Sequence, residues 1–238
     1  MQPNKPQDVA KLAAGRKAIE VYLKDGMRIG LGSGTTSHWF VRALGEKVRD
    51  GFDIAGVPTS TATRDIALEV GVPLLDLNDV RELDLTIDGA DEIDRVGRMI
   101  KGGGACLLWE KMVARASRRM VAVVDDGKVV DTLGEFPLPI EVVRFGWRST
   151  GRELQKLFAQ FGHHDVPMIL RGGEANPVIT DSGNYILDWQ LNRIEEPDRL
   201  APLFNEIPGV VEHGLFVGIA HEMVIGHADG SGEVIRLD

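Results

Sequence analysis

Between Asp88 and Lys111 the chain collects the side chains needed to move protons on a small anion. The stretch reads Asp88-Gly-Ala-Asp91-Glu-Ile-Asp94, then Lys101-Gly-Gly-Gly104, then Glu110-Lys111. Carboxylates can take and return protons, and an ammonium beside exposed backbone N–H groups can hold a developing oxyanion. Three consecutive glycines cost conformational entropy, so a close backbone approach explains them better than chance. A flexible loop carrying a surface lysine is the plainer alternative. Asp88 and Asp91 suit sugar hydroxyls or a proton relay. They also suit a helix cap, an acidic turn or a Mg²⁺ ligand set. Glu110 follows Leu107, Leu108 and Trp109; shielding by such neighbours raises a carboxyl pKa and favours a general base. An exposed, ion-paired glutamate is the alternative.

A second segment points to an anion. Gly30-Leu-Gly32-Ser-Gly34-Thr-Thr36 follows an apolar run and opens a helical pattern. Glycines there let N–H groups converge at a helix N-terminus, with the hydroxyls of Ser33, Thr35 and Thr36 as further donors. It is neither a dinucleotide fingerprint, since Thr35 stands where the last glycine belongs, nor a Walker loop, since no Gly-Lys follows. A tight capped turn would use the same residues. Lys128, in Asp125-Asp-Gly-Lys128, follows another strand-like run and could face the same cleft or the surface. Cys106 near a helix start would have a lowered pKa, yet packing suits it better than nucleophilic attack. The six histidines show no metal-ligand spacing.

These segments need a frame. The first half alternates helical patterns (9–24, 37–48, 61–70, 106–119) with strand-like runs (27–31, 54–58, 72–75, 83–88, 120–124). That order predicts an α/β fold with a mostly parallel, doubly wound, Rossmann-like sheet. In the second half the order β-α-β-β-α-β predicts a smaller ferredoxin-like α+β unit. Its helices are marked by Leu154, Leu157, Phe158 and Phe161, behind a capping box at Thr150–Glu153, and by Leu200, Leu203, Phe204 and Ile207. Strands are expected at 138–143, 168–170, 178–188 with a turn at 181–184, and 210–216. The tail from Leu215 should return to the first sheet. The expected division is 1–134 with 214–238 as the catalytic unit, and 135–213 as the companion.

Composition narrows the partners. At 238 residues and 43% apolar content, one or two cores are possible. A net charge of −9 disfavours nucleic acid. A single cysteine excludes an internal disulfide. No long apolar run suggests a membrane span, and no secretory leader is visible, so the cytoplasm is the expected compartment.

Taken together, the motifs resemble ribose-5-phosphate isomerase, type A, along nearly the whole chain. Ser33–Thr36, Asp88–Ile93, Lys101–Ala105 and Glu110-Lys111 are similar to that family's distinctive segments, as are Phe136–Val142, Ile186–Asp188 and Ile207–Val211. The resemblance implies interconversion of D-ribose 5-phosphate and D-ribulose 5-phosphate in the non-oxidative pentose phosphate pathway. It implies Glu110 as base, Lys101 with the glycine-loop amides as enediolate stabiliser, Asp88 for ring opening and Asp91 for holding protons. Ser33, Gly34, Thr35, Thr36, Gly89, Ala90, Gly102, Gly103, Gly104 and Lys128 would bind substrate. It implies no metal or other cofactor, and a homodimer or homotetramer. A basic residue of the first helix has three candidates, Lys11, Arg16 and Lys17. Cys106-Leu-Leu-Trp109 departs from the family pattern. The alternative is a non-catalytic sugar-phosphate sensor on a related scaffold, which would lack the base or carry a DNA-binding domain. A CoA-transferase-like enzyme is disfavoured by the pairing of the Asp88 and Lys101 motifs.

Overall fold

The computed structural model describes residues 3–237. The first half alternates as expected: α1 (Pro6–Tyr22), β1 (Met27–Leu31), α2 (Gly34–Arg49), β2 (Ile54–Pro58), α3 (Thr61–Val70) and β3 (Leu85–Asp88). Short strands β4 (Glu92–Asp94) and β5 (Met99–Ile100) then precede α4 (Leu107–Arg115), β6 (Met120–Asp125) and β7 (Val129–Val130). The second half runs β8 (Leu138–Val142), α5 (Trp147–Gln160), β9 (Met168–Leu170), β10 (Tyr185–Trp189), α6 (Pro197–Phe204) and β11 (Val210–His213). It closes with β12 (Leu215–Phe216), β13 (Glu222–Gly226) and β14 (Gly232–Arg236).

The six-stranded sheet has the order β14-β13-β6-β3-β1-β2. Every pairing in it is parallel except the β13–β14 hairpin. Its central strands are buried along their length, which is why Leu85–Asp88 and Met120–Asp125 read as continuous rather than alternating runs. From β1 the chain moves outward to β2, then returns to β3 on the other side of β1. That reversal opens a crevice at the carboxyl ends of β1 and β3, where open α/β sheets receive ligands. The loop after β1 and the Asp88 segment after β3 both end there. Helix α1 packs beside α2 and lies across β13 and β6 so closely that a Cβ on Gly226 would meet the Ala10 carbonyl at 1.9 Å. Only glycine permits that approach.

The companion sheet, β11-β8-β10-β9, is antiparallel throughout and has the ferredoxin-like strand order. Phe158 packs tilted on Trp189 and edge-on to Phe204 at its core, with ring centroids 4.9 and 5.8 Å apart. A third sheet, β12-β5-β4-β7, joins the two. Its strands are too short to show in the sequence pattern.

Several local expectations are corrected. Helix α5 starts at Trp147, after Gly146 in the left-handed region (φ +68°), so Thr150–Glu153 is not a capping box. Thr150 instead packs on Gly209. Residues 72–75 form only a bridge, Gly56 to Leu74, because Pro73 offers a carbonyl but no N–H. The run 178–188 forms a strand only from Tyr185, and 106–119 is helical only over α4. The run 210–216 is split at Gly214, where the chain leaves one sheet for another. A Cβ at Gly214 would lie 2.4 Å from the Lys101 carbonyl.

Candidate active site

The loop after β1 enters α2 at Ser33, the N-cap, which is extended at φ −113°. Ser33 is buried and its hydroxyl turns inward, 2.7 Å from both Thr59 Oγ1 and Ser60 Oγ and 3.0 Å from Thr63 Oγ1. Its hydroxyl is therefore structural, and Ser33 borders the cleft through its backbone. The Ser33 N–H donates to Asp88 Oδ1 at 2.9 Å, tying the β1 loop to the end of β3. Ser37 Oγ and the Gly89 N–H donate to the same oxygen at 3.1 and 2.7 Å. Three donors thus leave Asp88 Oδ2 as the free face.

That face meets Lys101, whose Nζ lies 3.1 Å from Asp88 Oδ2 and donates to Glu110 Oε1 at 2.9 Å and to the Gly89 carbonyl at 2.5 Å. Lys101 is 2% exposed and Glu110 4%, which rules out the surface readings of both. Sequence spacing explains the meeting: Lys101 leaves β5, and Glu110 lies in the first turn of α4 with its N–H on the Cys106 carbonyl. Among the described residues Glu110 Oε2 is buried without a hydrogen-bond partner, an open acceptor at the wall of a cleft.

Two carboxylates share one ammonium, so the cluster is one charge negative when fully ionised. Burial raises the Glu110 pKa most; Lys101 opposes that rise, and Asp88 adds to it. The result lies well above the ordinary glutamate range. Burial works against the charge on Lys101, but Asp88 and Glu110 outweigh it and keep its pKa raised. Proximity of a helix start does not activate Cys106: burial, then the Glu110 charge, push its thiol up to about 12. Lys111 points the other way, to Glu212 Oε1 at 2.6 Å and the His213 carbonyl at 2.7 Å.

The cleft is small and partly open, with a cavity volume of about 80 Å³. Ser33, Gly34, Thr35, Thr36, Gly89, Ala90, Asp91, Lys101, Gly102, Gly103, Gly104, Glu110 and Lys128 border it. Asp88 does not; its carboxylate is wholly buried behind Lys101. Asp91 is held from the glycine loop, accepting from the Gly103 N–H at 2.7 Å. Lys128 is half-buried at the rim and, among the described residues, has no carboxylate within ion-pair distance. Of the three basic residues of α1, Arg16 pairs with Glu46 and Lys17 with Glu20, while Lys11 is buried without such a partner among the described residues. Lys11 follows Ala10, which touches Gly226, and Gly226 is in register with Asp125 at the carboxyl end of β6. Lys11 therefore belongs to the same edge of the sheet as the cleft. Among the described residues no group of three His, Cys, Asp or Glu side chains is arranged to hold a metal ion.

Two residues escaped the sequence reading. Ser37 bridges Asp88 Oδ1 and the Gly89 N–H, which donates to its hydroxyl at 2.9 Å. Its only signal was a hydroxyl one residue beyond Thr35-Thr36. Arg171, from the companion sheet, reaches the glycine-loop carbonyls, and nothing in the sequence signalled that long-range contact.

A buried ammonium locked between carboxylates, with loop amides beside it in the crevice of an open parallel sheet, defines an acid–base site for a small anionic substrate. The chain belongs to the ribose 5-phosphate isomerase A (phosphoriboisomerase A) family, whose model matches residues 55–230. It is 53% identical over 229 residues to ribose-5-phosphate isomerase A 2 of Yersinia pseudotuberculosis, covering 96% of this chain and 97% of that one. Ribose 5-phosphate isomerase A from Neisseria gonorrhoeae superposes with a TM-score of 0.87 at 35% identity, over 98% of both chains. A D-ribose-5-phosphate isomerase in complex with phospho-erythronic acid gives 0.87 at 36% identity, over 95% of this chain and 97% of that one.

Proposed function

We propose that this chain interconverts D-ribose 5-phosphate and D-ribulose 5-phosphate through an enediolate, with Glu110 as the carrier of the proton between C2 and C1. The observation that carries the reading is the Glu110–Lys101–Asp88 cluster: a carboxylate of raised pKa, its second oxygen unpartnered among the described residues, fixed 2.9 Å from an ammonium at the wall of a cleft. A base whose pKa approaches the working pH both accepts and returns a proton efficiently.

Glu110 Oε2 takes the proton from C2 of the opened aldose. The C2–H electrons form the C1–C2 double bond, and the carbonyl π pair moves onto O1. Lys101 and the glycine-loop N–H groups stabilise that oxygen, in a site where little water competes. Asp91 then carries the O2 proton to O1: the O2–H electrons form the C2–O2 double bond, the C1–C2 π pair takes the proton back from Glu110 at C1, and the ketose results. Asp91, which borders the cleft, moves hydroxyl protons and opens the ring. Asp88 holds Lys101 from behind and balances its charge; its buried position supports this role better than direct contact with the sugar.

At the other end, the N-terminus of α2 and the Gly34, Thr35 and Thr36 donors receive the phosphate. Lys128 and Lys11 are the cations available to it. Phosphate binding at a distance from C2 supplies energy that fixes the reacting carbons. No redox step is required. A non-catalytic sensor gains no support, because the base and the ammonium are both present. We also propose a homo-oligomer, as the family resemblance implies.

The experiment is turnover of ribose 5-phosphate by purified protein in EDTA, followed by formation of ribulose 5-phosphate. Absence of turnover in a folded preparation would defeat the reading.

A further inference from the structure

The glycine loop is held from outside by a side chain that never borders the cleft. Arg171, just after β9, donates from Nε and Nη2 to Asp188 Oδ2 and Oδ1 at 2.8 and 2.5 Å, a bidentate fork. Its Nη1 donates to the carbonyls of Gly102 and Gly103 at 2.7 and 3.0 Å. Both Arg171 and Asp188 side chains are only 17% exposed, so the pair is ordered by its surroundings.

The peptides here are trans, and in a trans peptide the carbonyl and the following N–H point in opposite directions. Drawing the Gly102 carbonyl toward Arg171 turns the Gly103 N–H to the other side, where it donates to Asp91. Drawing the Gly103 carbonyl outward likewise turns the Gly104 N–H away from Arg171. Gly103 and Gly104 border the cleft. Among the described residues the Gly104 N–H donates to no protein acceptor. The loop supplies one bond of its own, from the Ala105 N–H to the Gly102 carbonyl at 3.0 Å, but it does so with Ala105, which lacks the freedom of glycine, at φ +58°, and it gives the Gly103 carbonyl no partner.

We propose that Arg171, clamped by Asp188, is a positioning residue for the isomerisation, setting two successive glycine-loop peptides so that one N–H fixes Asp91 and the next meets the oxygen that becomes anionic in the enediolate. The inference rests on the isomerase reading above. Arg171 does not border the cleft and acts only through the loop. A lysine in its place keeps the charge and loses the planar fork.

The test compares Arg171→Ala, Arg171→Lys and Asp188→Asn with the wild type. We expect Arg171→Ala to lower kcat by roughly 10²-fold, the effect of a misplaced donor set, while KM stays near the wild-type value. Affinity for phospho-erythronic acid, a phosphorylated acid whose carboxylate bears the negative charge that the enediolate develops, should fall by the same factor as kcat/KM. Added guanidinium ion should restore part of the rate in Arg171→Ala and none in Glu110→Gln. A purely structural role would lower the melting temperature and raise KM without that rescue, and would overturn the proposal. So would wild-type kcat and wild-type analogue affinity in Arg171→Ala. If that variant does not fold, Arg171→Lys and Asp188→Asn decide, with normal kcat in both as the refuting result. Inactivity of the wild type would instead condemn the isomerase reading. The positioning claim is then read separately, from the ¹⁵N–¹H shift of Gly104 on adding the analogue, expected in the wild type and lost in Arg171→Lys; an equal shift in both would overturn it.

Discussion

Replacing Lys101 by methionine tests the electrostatic core of the site. The ammonium lies 2.9 Å from Glu110 Oε1 and 3.1 Å from Asp88 Oδ2, out of contact with bulk water. At an effective dielectric constant of about 20, unit charges 2.9 Å apart interact by about 5.7 kcal/mol. That corresponds to about four pKa units on the carboxylate, an upper bound because relaxation and entering water screen it. Removing the cation deletes the one large influence that holds the Glu110 pKa down, while burial and the Asp88 charge still push it up. The base is then protonated over a wider range. The acidic limb of kcat/KM should move to higher pH by at least about one unit, and kcat should fall a further ~10²–10³-fold from lost oxyanion stabilisation. Stability supplies an independent check. A carboxyl whose folded pKa is raised binds more protons in the native state, so its favourable contribution is complete below the unfolded pKa and lost as pH rises through the folded one. Lys101→Met should therefore melt increasingly early toward alkaline pH relative to the wild type. The assay is a pH series of kcat/KM with melting at each point. An acidic limb that stays put or moves to lower pH would refute the reasoning.

Other substitutions separate binding from chemistry. Gly103→Ala puts a Cβ 2.6 Å from Asp91 Oδ1; it should displace that carboxylate and lower kcat about 10-fold or more, with phosphate competition unchanged in inhibition assays. Lys128→Ala should raise KM about 10-fold with little change in kcat, the pattern of lost uniform binding. Ser37→Ala removes one of the three donors to Asp88 Oδ1 and should cost about 1–2 kcal/mol in denaturant unfolding.

Much of the site was legible because its chemistry is written in contiguous motifs. Asp88–Asp91 ends β3 of the parallel sheet and Lys101–Gly104 follows β5 of the third sheet, a dozen residues on, so a short chain segment carries one motif back to the other. The doubly wound sheet and the β-α-β-β-α-β order follow from continuous apolar runs, which buried strands display, alternating with amphipathic helical periods. What the sequence hid depends on distant contacts. The inward turn of the Ser33 hydroxyl reflects Thr59, Ser60 and Thr63, which lie on the next βα connection. The choice of Lys11 over Arg16 and Lys17 depends on which face of α1 carries carboxylate partners. The third sheet was invisible because two- and three-residue strands have no period to detect. Arg171 reads as an ordinary arginine until Asp188 and the Gly102 and Gly103 carbonyls surround it. Trp109, the departure from the family pattern, donates to Ser182 Oγ at 2.9 Å and so ties α4 to the companion unit's turn.

The most direct test of Glu110 as proton carrier is exchange of the C2 hydrogen of ribose 5-phosphate with D₂O, followed by proton NMR in wild type and Glu110→Gln. The wild type should lose the C2 signal at a rate comparable with turnover. The variant should still bind substrate, with exchange and kcat both slower by roughly 10²–10⁴-fold. Exchange at the wild-type rate in Glu110→Gln would contradict the account.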